Sequence, residues 1–316
     1  MSLEVKDLSV SYGEKVILDN ISFHLEAGQI IGLVAPNGTG KTTMFNAMMR
    51  FIPTQSGKIL INEKEYSSSS ADILNLHKEM TFFPDQADLM MNFSGREHVQ
   101  MYADIWSKNT VEVDDIIDLL QMRGYVDQKV KTYSLGMKQR LCFAMMVAAN
   151  TPVMLMDEVM NGLDPENVSL VSSILIQLKN EGKIIIVSSH LLDNLDEYAD
   201  KVFFLNKGHI QHVTDWADEM PVYYKTVLSS SKIQELDTLV DLPEDTIHLG
   251  NKMLCIPIEG FTEEEQLRLF KTLRQLQPEQ LSVGSMGTSE YYSYIYSLPI
   301  HVTSRGGQGE TTKTIQ

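Results

Sequence analysis

A glycine-rich segment, Gly38-Thr39-Gly40-Lys41-Thr42, follows the apolar run Ile30–Val34 and precedes a predicted helix. Glycines allow successive backbone N–H groups to turn toward one point, where the positive end of the helix dipole adds to their field. Lys41 supplies a mobile cation for the outer phosphates of a nucleotide, and Thr42 supplies a hydroxyl for Mg²⁺. The strict form of this loop has glycine where this chain has Ala35, and we expect alanine to fit if its φ is negative. The segment predicts a phosphate-binding loop.

Two adjacent carboxylates, Asp157 and Glu158, end a second apolar run, Val153–Met156. Ligands of open α/β sheets bind beyond the carboxyl ends of the strands, so both carboxylates can face a bound nucleotide. Asp157 is expected to hold Mg²⁺ through water, and Glu158 to orient and deprotonate the attacking water. The sequence therefore predicts a hydrolase that acts on a magnesium–nucleotide complex.

A third polar residue, His190, follows the apolar run Ile184–Val187 and the pair Ser188-Ser189. A side chain just beyond the carboxyl end of such a strand lies where the terminal phosphate of the nucleotide would be. A lone histidine is more often structural, but its place after the phosphate loop and the carboxylates favours a catalytic role.

The segments that must position these residues alternate short apolar runs with helical patterns. Several runs are continuously apolar, which is typical of strands covered on both faces in a parallel sheet. Between Phe93 and Ala149 the pattern is helical, and it predicts an insert within the sheet domain. We therefore predict an α/β fold with candidate strands at Leu3–Val10, Ile30–Val34, Lys58–Ile61, Met80–Phe83, Val153–Met156, Ile184–Val187 and Val202–Leu205.

The charge of the chain argues against a nucleic-acid-binding protein. Lys and Arg total 26 against 42 Asp and Glu, which gives a formal net charge of −16, so the surface as a whole repels phosphate polymers. The two cysteines, Cys142 and Cys255, lie in separate apolar runs and are expected to be inert core thiols of a protein in a reducing compartment. Neither a signal peptide nor a membrane span is predicted.

The last third of the chain has no nucleotide motif. Thr262 and Glu265 have the spacing of a capping box at a helix start, and Leu267, Phe270, Leu273 and Leu276 are expected to form the apolar stripe of that helix. We predict a cassette domain at residues 1–215 with a helical insert at about 88–150, an accessory α+β domain at 216–302 and a flexible tail at 303–316.

Taken in order, these motifs closely resemble the nucleotide-binding subunits of ATP-binding cassette (ABC) transporters, and the resemblance covers about residues 1–215. The matching segments are Ala35–Thr43, Tyr133–Arg140, Val153–Glu158, Gly162–Pro165 and His190. The resemblance implies a P-loop NTPase cassette fold, with a mostly parallel sheet core, an antiparallel β subdomain and the helical insert. It also implies ATP and Mg²⁺ as ligands and ATP hydrolysis as the activity.

The same resemblance assigns further residues to nucleotide binding. It places Tyr12 against the adenine ring and the phosphates on Asn37, Gly38, Thr39, Gly40, Lys41, Thr42 and Thr43. Ser134 and Gly136 belong to a degenerate form of the family's signature segment. Ser134 would cap a helix whose positive end faces the terminal phosphate of a nucleotide held by another subunit. Leu163-Asp164 would link the two sites across the dimer.

Two departures from the family pattern bear on activity. The family's glutamine loop is expected after Met80–Phe83, but here Asp85 stands in the glutamine's place and Gln86 follows one residue later. Either side chain could reach Mg²⁺ or the water, and Gln86 is preferred for both roles. The signature segment lacks one of its two glycines, at Leu135, and its glutamine, at Met137, so two sites formed with a different subunit would differ in activity.

The resemblance predicts the ATPase of a membrane exporter for peptides, antimicrobials or drugs, at the inner face of the cell membrane. Its partners would be transmembrane permease subunits, received at about Asp85–Trp106, and a second nucleotide-binding subunit, as a homodimer or a paralogous heterodimer. The alternative is a cassette ATPase of translation, repair or regulation without a membrane partner. Cassette translation factors generally carry two nucleotide domains in one chain, and the repair ATPases have nucleotide domains that are split by long coiled coils. Neither feature is expected from this sequence. A third hypothesis is a regulatory or immunity module in which residues after Val213 sense a ligand.

Overall fold

The computed structural model describes residues 1–107 and 111–296, which form two compact units. The larger unit contains Met1–Met220 together with Gly287–Ser289, and the smaller unit contains Pro221–Met286 and the described residues 290–296. The predicted tail at 303–316 lies outside the described residues. No helix within the two described ranges is long and apolar enough to cross a bilayer.

The larger unit alternates strands and helices, as the sequence predicts. Its strands are β1 (Ser2–Tyr12), β2 (Lys15–Glu26), β3 (Gln29–Val34), β4 (Ser56–Ile61), β5 (Lys64–Glu65), β6 (Met80–Phe82), β7 (Val153–Asp157), β8 (Ile184–Ser188), β9 (Lys201–Asn206) and β10 (His209–Asp215). Its helices are α1 (Lys41–Met48), α2 (Ser70–His77), α3 (Gly95–Trp106), α4 (Val113–Leu119), α5 (Leu135–Ala149), α6 (Pro165–Asn180) and α7 (Leu192–Tyr198).

A six-stranded sheet in the order β10-β9-β3-β8-β7-β6 forms the centre of this unit. All of its neighbouring strands are parallel except β10, which is antiparallel to β9. The central strands β3, β7 and β8 are almost entirely buried, because the helices that connect parallel strands cover both faces of the sheet. The carboxyl ends of β3, β8 and β7 therefore lie side by side. The predicted α/β fold with a mostly parallel sheet is confirmed.

A second, antiparallel sheet in the order β2-β1-β4-β5 shares its core with the first. The strand β2 is not among the predicted ones, since polar residues interrupt its apolar pattern. The predicted helical segment contains α3, α4 and α5. Both cysteines, Cys142 in α5 and Cys255 in the smaller unit, are fully buried, which confirms their predicted place in the core.

The smaller unit has the β-α-β-β-α-β order of ferredoxin-like folds. Its elements are β11 (Tyr223–Val227), α8 (Ser230–Leu239), β12 (Ile247–Leu249), β13 (Met253–Pro257), α9 (Glu263–Gln275) and β14 (Gln280–Gly284), followed by α10 (Thr288–Tyr296). The strands pair antiparallel in the order β12-β13-β11-β14.

The helix α9 begins with the capping box that the sequence predicts. Thr262 and Glu265 exchange hydrogen bonds between side chain and main chain. The predicted apolar stripe is wrong in one position: Leu267 is 54% exposed, and Leu269 is buried in its place with Leu273. Apolar residues occupy both positions, so only the packing against α8 and the sheet selects the buried one.

Candidate functional site

The predicted phosphate loop connects β3 to α1 in a conformation that requires glycine. Gly40, at the start of α1, has φ 117° and Gly38 has φ 76°. A Cβ on Gly40 would lie 3.1 Å from Ile17 Cγ2 and 3.2 Å from Leu18 Cδ2, both on β2. Ala35 is buried and is not among the residues with positive φ, as its occurrence there requires. These glycine conformations bring the loop directly to the N-terminus of α1, which is the arrangement that an anion-binding site needs.

Lys41 is the first residue of α1 and is only 6% exposed. Its ammonium donates hydrogen bonds to the carbonyls of Ala35 at 2.6 Å and Pro36 at 3.4 Å. Burial lowers the pKa of Lys41, and the nearby Glu158 and Asp157 oppose that shift. The ammonium is thus held inside the loop by carbonyl oxygens, which phosphate oxygens can replace.

Asp157 lies at the end of β7 and connects two other elements. Its Oδ2 accepts a hydrogen bond from Thr42 Oγ1 at 2.5 Å, and its Oδ1 accepts one from Ser188 Oγ. Ser188 is directly opposite Asp157 in the β7–β8 register, which explains this contact. The arrangement gathers hydroxyl and carboxylate oxygens, the ligand type that Mg²⁺ prefers, beside the phosphate loop.

Glu158 follows Asp157 in the left-handed backbone region, at φ 52°. Its Oε1 lies 2.6 Å from Nε2 of His190, and its Oε2 accepts a hydrogen bond from Asn161 Nδ2. Its main-chain N–H donates to Ser188 Oγ at 3.0 Å. A non-glycine residue is strained in this backbone region, so the surrounding contacts must hold Glu158 in it.

The two candidates for the glutamine-loop role differ in what they contact. The Asp85 carboxylate accepts from the Ala87 N–H at 2.8 Å and caps the short 3-10 helix Gln86–Asp88. Gln86 Nε2 instead donates to Oε1 of Gln139. Gln139, in α5, donates in turn to the main-chain carbonyls of Glu158 at 3.0 Å and Val159 at 2.8 Å. The structure thus links Gln86 to the backbone of Glu158.

A cleft of about 920 Å³ reaches several of these residues. Its lining includes Thr42, Gln86, Asp157 and Glu158, and it also includes an aromatic group, namely Phe51, Phe82, Phe83, Tyr102 and Trp106. Lys41, His190, the signature residues Ser134 and Gly136, and Tyr12 are not part of this lining. Tyr12 lies at the end of β1 and is 56% exposed.

The signature segment forms the start of α5. Ser134 caps this helix and accepts a hydrogen bond from Met137 N at 3.2 Å. The linking loop packs against it: a Cβ on Gly136 would lie 3.6 Å from the Gly162 carbonyl. Asp164 then caps α6, and the hydrogen bond that its carboxylate accepts from the main-chain N–H of Asn167 lowers the pKa of the Asp164 carboxyl. The signature segment therefore lies against the linking loop.

Sequence reasoning missed the roles of Asn161 and Gln139. Asn161 follows Glu158 by three residues, and its spacing alone gave no sign that it contacts that carboxylate. Gln139 lies between Lys138 and Arg140, where an exposed position would be expected, yet it is 4% exposed. Its burial beside a polar loop becomes evident only in the folded chain.

Comparisons with known proteins agree with this geometry. The sequence profile described as ABC transporter matches residues 18–161. YhcH of Bacillus subtilis (strain 168), an uncharacterised ABC transporter ATP-binding protein, is 32% identical over 278 residues, which are 85% of this chain and 90% of the relative. The bacitracin transport ATP-binding protein BcrA of Enterococcus faecalis is 30% identical over 212 residues, or 66% of this chain and 67% of the relative.

A solved ATP-binding subunit of an ABC transporter has the same fold. It superposes with a TM-score of 0.63 at 22% identity and covers 69% of this chain and 91% of that one. The predicted cassette fold and the resemblance to exporter-like cassettes are confirmed. This chain belongs to the ATP-binding proteins of ABC transporters, and it is an ATPase.

Proposed function

We propose that this protein hydrolyses magnesium–ATP to power a membrane exporter, in a closed dimer with a second nucleotide-binding subunit. The observation that carries the proposal is the convergence of Thr42, Asp157, Glu158 and His190 at the ends of neighbouring parallel strands. These groups combine a phosphate site, hydroxyl and carboxylate ligands and a general base, which together are the parts of a phosphoryl-transfer site.

The main chain of the loop from Asn37 to Thr43 and the Lys41 ammonium bind the ATP phosphates. Glu158 accepts the proton of the attacking water, and His190 orients the Glu158 carboxylate and approaches the terminal phosphate. Asn161 holds the second carboxylate oxygen. Tyr12, exposed at the end of β1, stacks on the adenine ring.

The donor set near Asp157 fits Mg²⁺. Within residues 1–107 and 111–296, no three His, Cys, Asp or Glu side chains come together as a metal site. A site with few carboxylates suits Mg²⁺, which keeps waters and uses substrate phosphates as ligands. Thr42 and Asp157 would hold the ion, Asp157 through water, and Gln86 would be a further ligand from the cleft wall. When bound, the ion neutralises charge on the phosphates.

The helix that begins at the signature segment supports a composite site. Ser134 caps a 15-residue helix, and the start of such a helix favours a negative group. In this proposal Ser134 and Gly136 complete the site of a second subunit rather than their own. ATP binds both subunits at once and favours the closed dimer; hydrolysis removes that link.

Transport requires a partner that spans the membrane. The relative BcrA is named for bacitracin transport, which supports a peptide-like antimicrobial or drug as the exported molecule. The permease subunits would dock near Asp85–Trp106, a segment whose Tyr102 and Trp106 belong to the aromatic lining of the cleft. The protein would thus lie at the inner face of the membrane.

The Glu158→Gln variant tests the proposed chemistry. Loss of a general base lowers kcat by about 100-fold or more, while ATP affinity is retained. The control is Glu181→Gln, an exposed acid at the end of α6, with unchanged kcat. Unimpaired turnover in Glu158→Gln would remove this residue from its role.

Two further measurements test the assembly. Sedimentation of Glu158→Gln with ATP is expected to give a dimer, and with ADP a monomer. A monomer in both cases would contradict the pairing of two copies. Purification of the full chain from detergent extracts is expected to yield a multi-span membrane protein, whereas ribosomes or DNA in its place would contradict the exporter.

A further inference from the structure

A three-residue segment of the C-terminal region, Gly287–Ser289, belongs to the larger unit although the chain before and after it belongs to the smaller one. Within this segment, called the strap here, Thr288 is fully buried. Its main-chain N–H lies 3.1 Å from both carboxylate oxygens of Asp196, and its hydroxyl donates to Asp196 Oδ1. The Ser289 hydroxyl donates to Asp193 Oδ1. The strap therefore binds two carboxylates of α7 from a sequence distance of more than 90 residues.

The helix α7 is intrinsically weak. It has only seven residues, and its N-cap, Leu191, makes no side-chain capping hydrogen bond. Isolated helices of this length are unstable in water. Asp193 and Asp196, one turn apart on the same face, repel each other, and the helix contains no Lys or Arg. Hydroxyl and N–H donors from the strap favour the helix because they stabilise both carboxylates in place.

The opposite face of α7 is attached to the core. Leu195 is fully buried, and a Cβ on Gly32 of β3 would lie 3.1 Å from its Cδ1. The Tyr198 hydroxyl lies 3.9 Å from Met160 Sδ. The helix is therefore held from two sides, by the central sheet through Leu195 and by the strap through Asp193 and Asp196.

The start of α7 decides where His190 lies, because His190 precedes the N-cap by one residue and its Nε2 lies 2.6 Å from Glu158 Oε1. We propose that Thr288 and Ser289 are positioning residues that hold α7 through Asp196 and Asp193, and so keep His190 against the Glu158 carboxylate. The inference rests on the proposed hydrolytic roles of Glu158 and His190.

This arrangement gives the C-terminal region a part in hydrolysis. The strap follows β14, the last strand of the ferredoxin-like unit, and contains the first two residues of α10.

The full-length variant Thr288→Val tests the proposal, since valine has the same shape and keeps the main-chain N–H but lacks the hydroxyl. Small displacements of reacting groups cost up to about 100-fold in rate, so we expect kcat to fall by about tenfold with KM for ATP unchanged. Thr288→Ser restores the hydroxyl and is expected to restore kcat to near the wild-type value. The matched control is Thr272→Val on α9, whose hydroxyl donates to the Arg268 carbonyl at 3.0 Å, with no expected change.

Hydrogen exchange of the α7 amides provides a second readout that needs no activity. We expect these amides to exchange at least about tenfold faster in Thr288→Val, with the amides of β3 unchanged. Wild-type kcat together with wild-type exchange in Thr288→Val would overturn the proposal, and so would equal losses in Thr272→Val. If the wild-type chain hydrolysed no ATP, the proposed function would fail, while the exchange experiment would still decide whether the strap holds α7.

Discussion

Replacing Gln139 with methionine tests whether this buried amide fixes the loop that carries Glu158. Methionine fills nearly the same volume but cannot donate to the carbonyls of Glu158 and Val159, at 3.0 and 2.8 Å in the native chain. It also removes the acceptor of the Gln86 amide. The variant therefore removes a polar network without leaving a cavity.

The expected cost follows from the partners that remain. The Glu158 carbonyl also accepts from the Asn161 N–H at 3.0 Å, so the lost bond there costs about 1 kcal/mol. Val159 is fully buried, and its carbonyl loses the amide donor inside the protein, at about 1–3 kcal/mol. We expect the free energy of unfolding to fall by about 2–4 kcal/mol in Gln139→Met.

Urea unfolding followed by tryptophan fluorescence measures this cost for the larger unit, to which Gln139 belongs. Both tryptophans, Trp106 and Trp216, belong to the larger unit, so their signal reports the unit that contains Gln139. The control is Gln177→Met on the exposed side of α6, where Nε2 donates to Glu181 Oε1 at 3.1 Å and the expected change is below about 0.5 kcal/mol. Equal stability of Gln139→Met and the wild type would refute the network.

Three further predictions concern the loop, the β-sheet and the thiols. Lys41→Met removes charge-assisted hydrogen bonds worth about 1.5–3 kcal/mol, so ATP affinity by calorimetry falls at least about tenfold, and unchanged affinity would contradict the loop's role. Gly57→Ala places a Cβ 2.6 Å from Leu8 Cα at φ 117°, and a wild-type urea midpoint would contradict the expected loss of about 2–3 kcal/mol. Burial raises the pKa of Cys142 to about 12 and of Cys255 to about 11, so neither reacts with a chromogenic disulfide reagent at about pH 8 until unfolded. The thiols of the unfolded chain ionise at lower pH than the buried thiols, so the free energy of unfolding falls as pH rises from the ordinary thiol pKa toward these values. Reaction of a native thiol with the reagent would contradict the burial.

The sequence by itself determined the features that depend on neighbours in the chain. The strand, glycine loop and helix around Lys41 were predicted in order, because glycine conformation and apolar runs act over a few residues. The capping box of Thr262 and Glu265 was also correct, since both partners lie within one helical turn.

Only the tertiary structure decided which distant groups meet. The choice of Leu269 over Leu267 as a buried residue depended on the partners of α9, because both positions are apolar. The contact of Thr288 with Asp196 spans 92 residues, and the burial of Gln139 depends on the path of the Glu158 loop. Local patterns specify which face of an element is apolar, but the partner of a polar side chain follows from the packing of the whole unit.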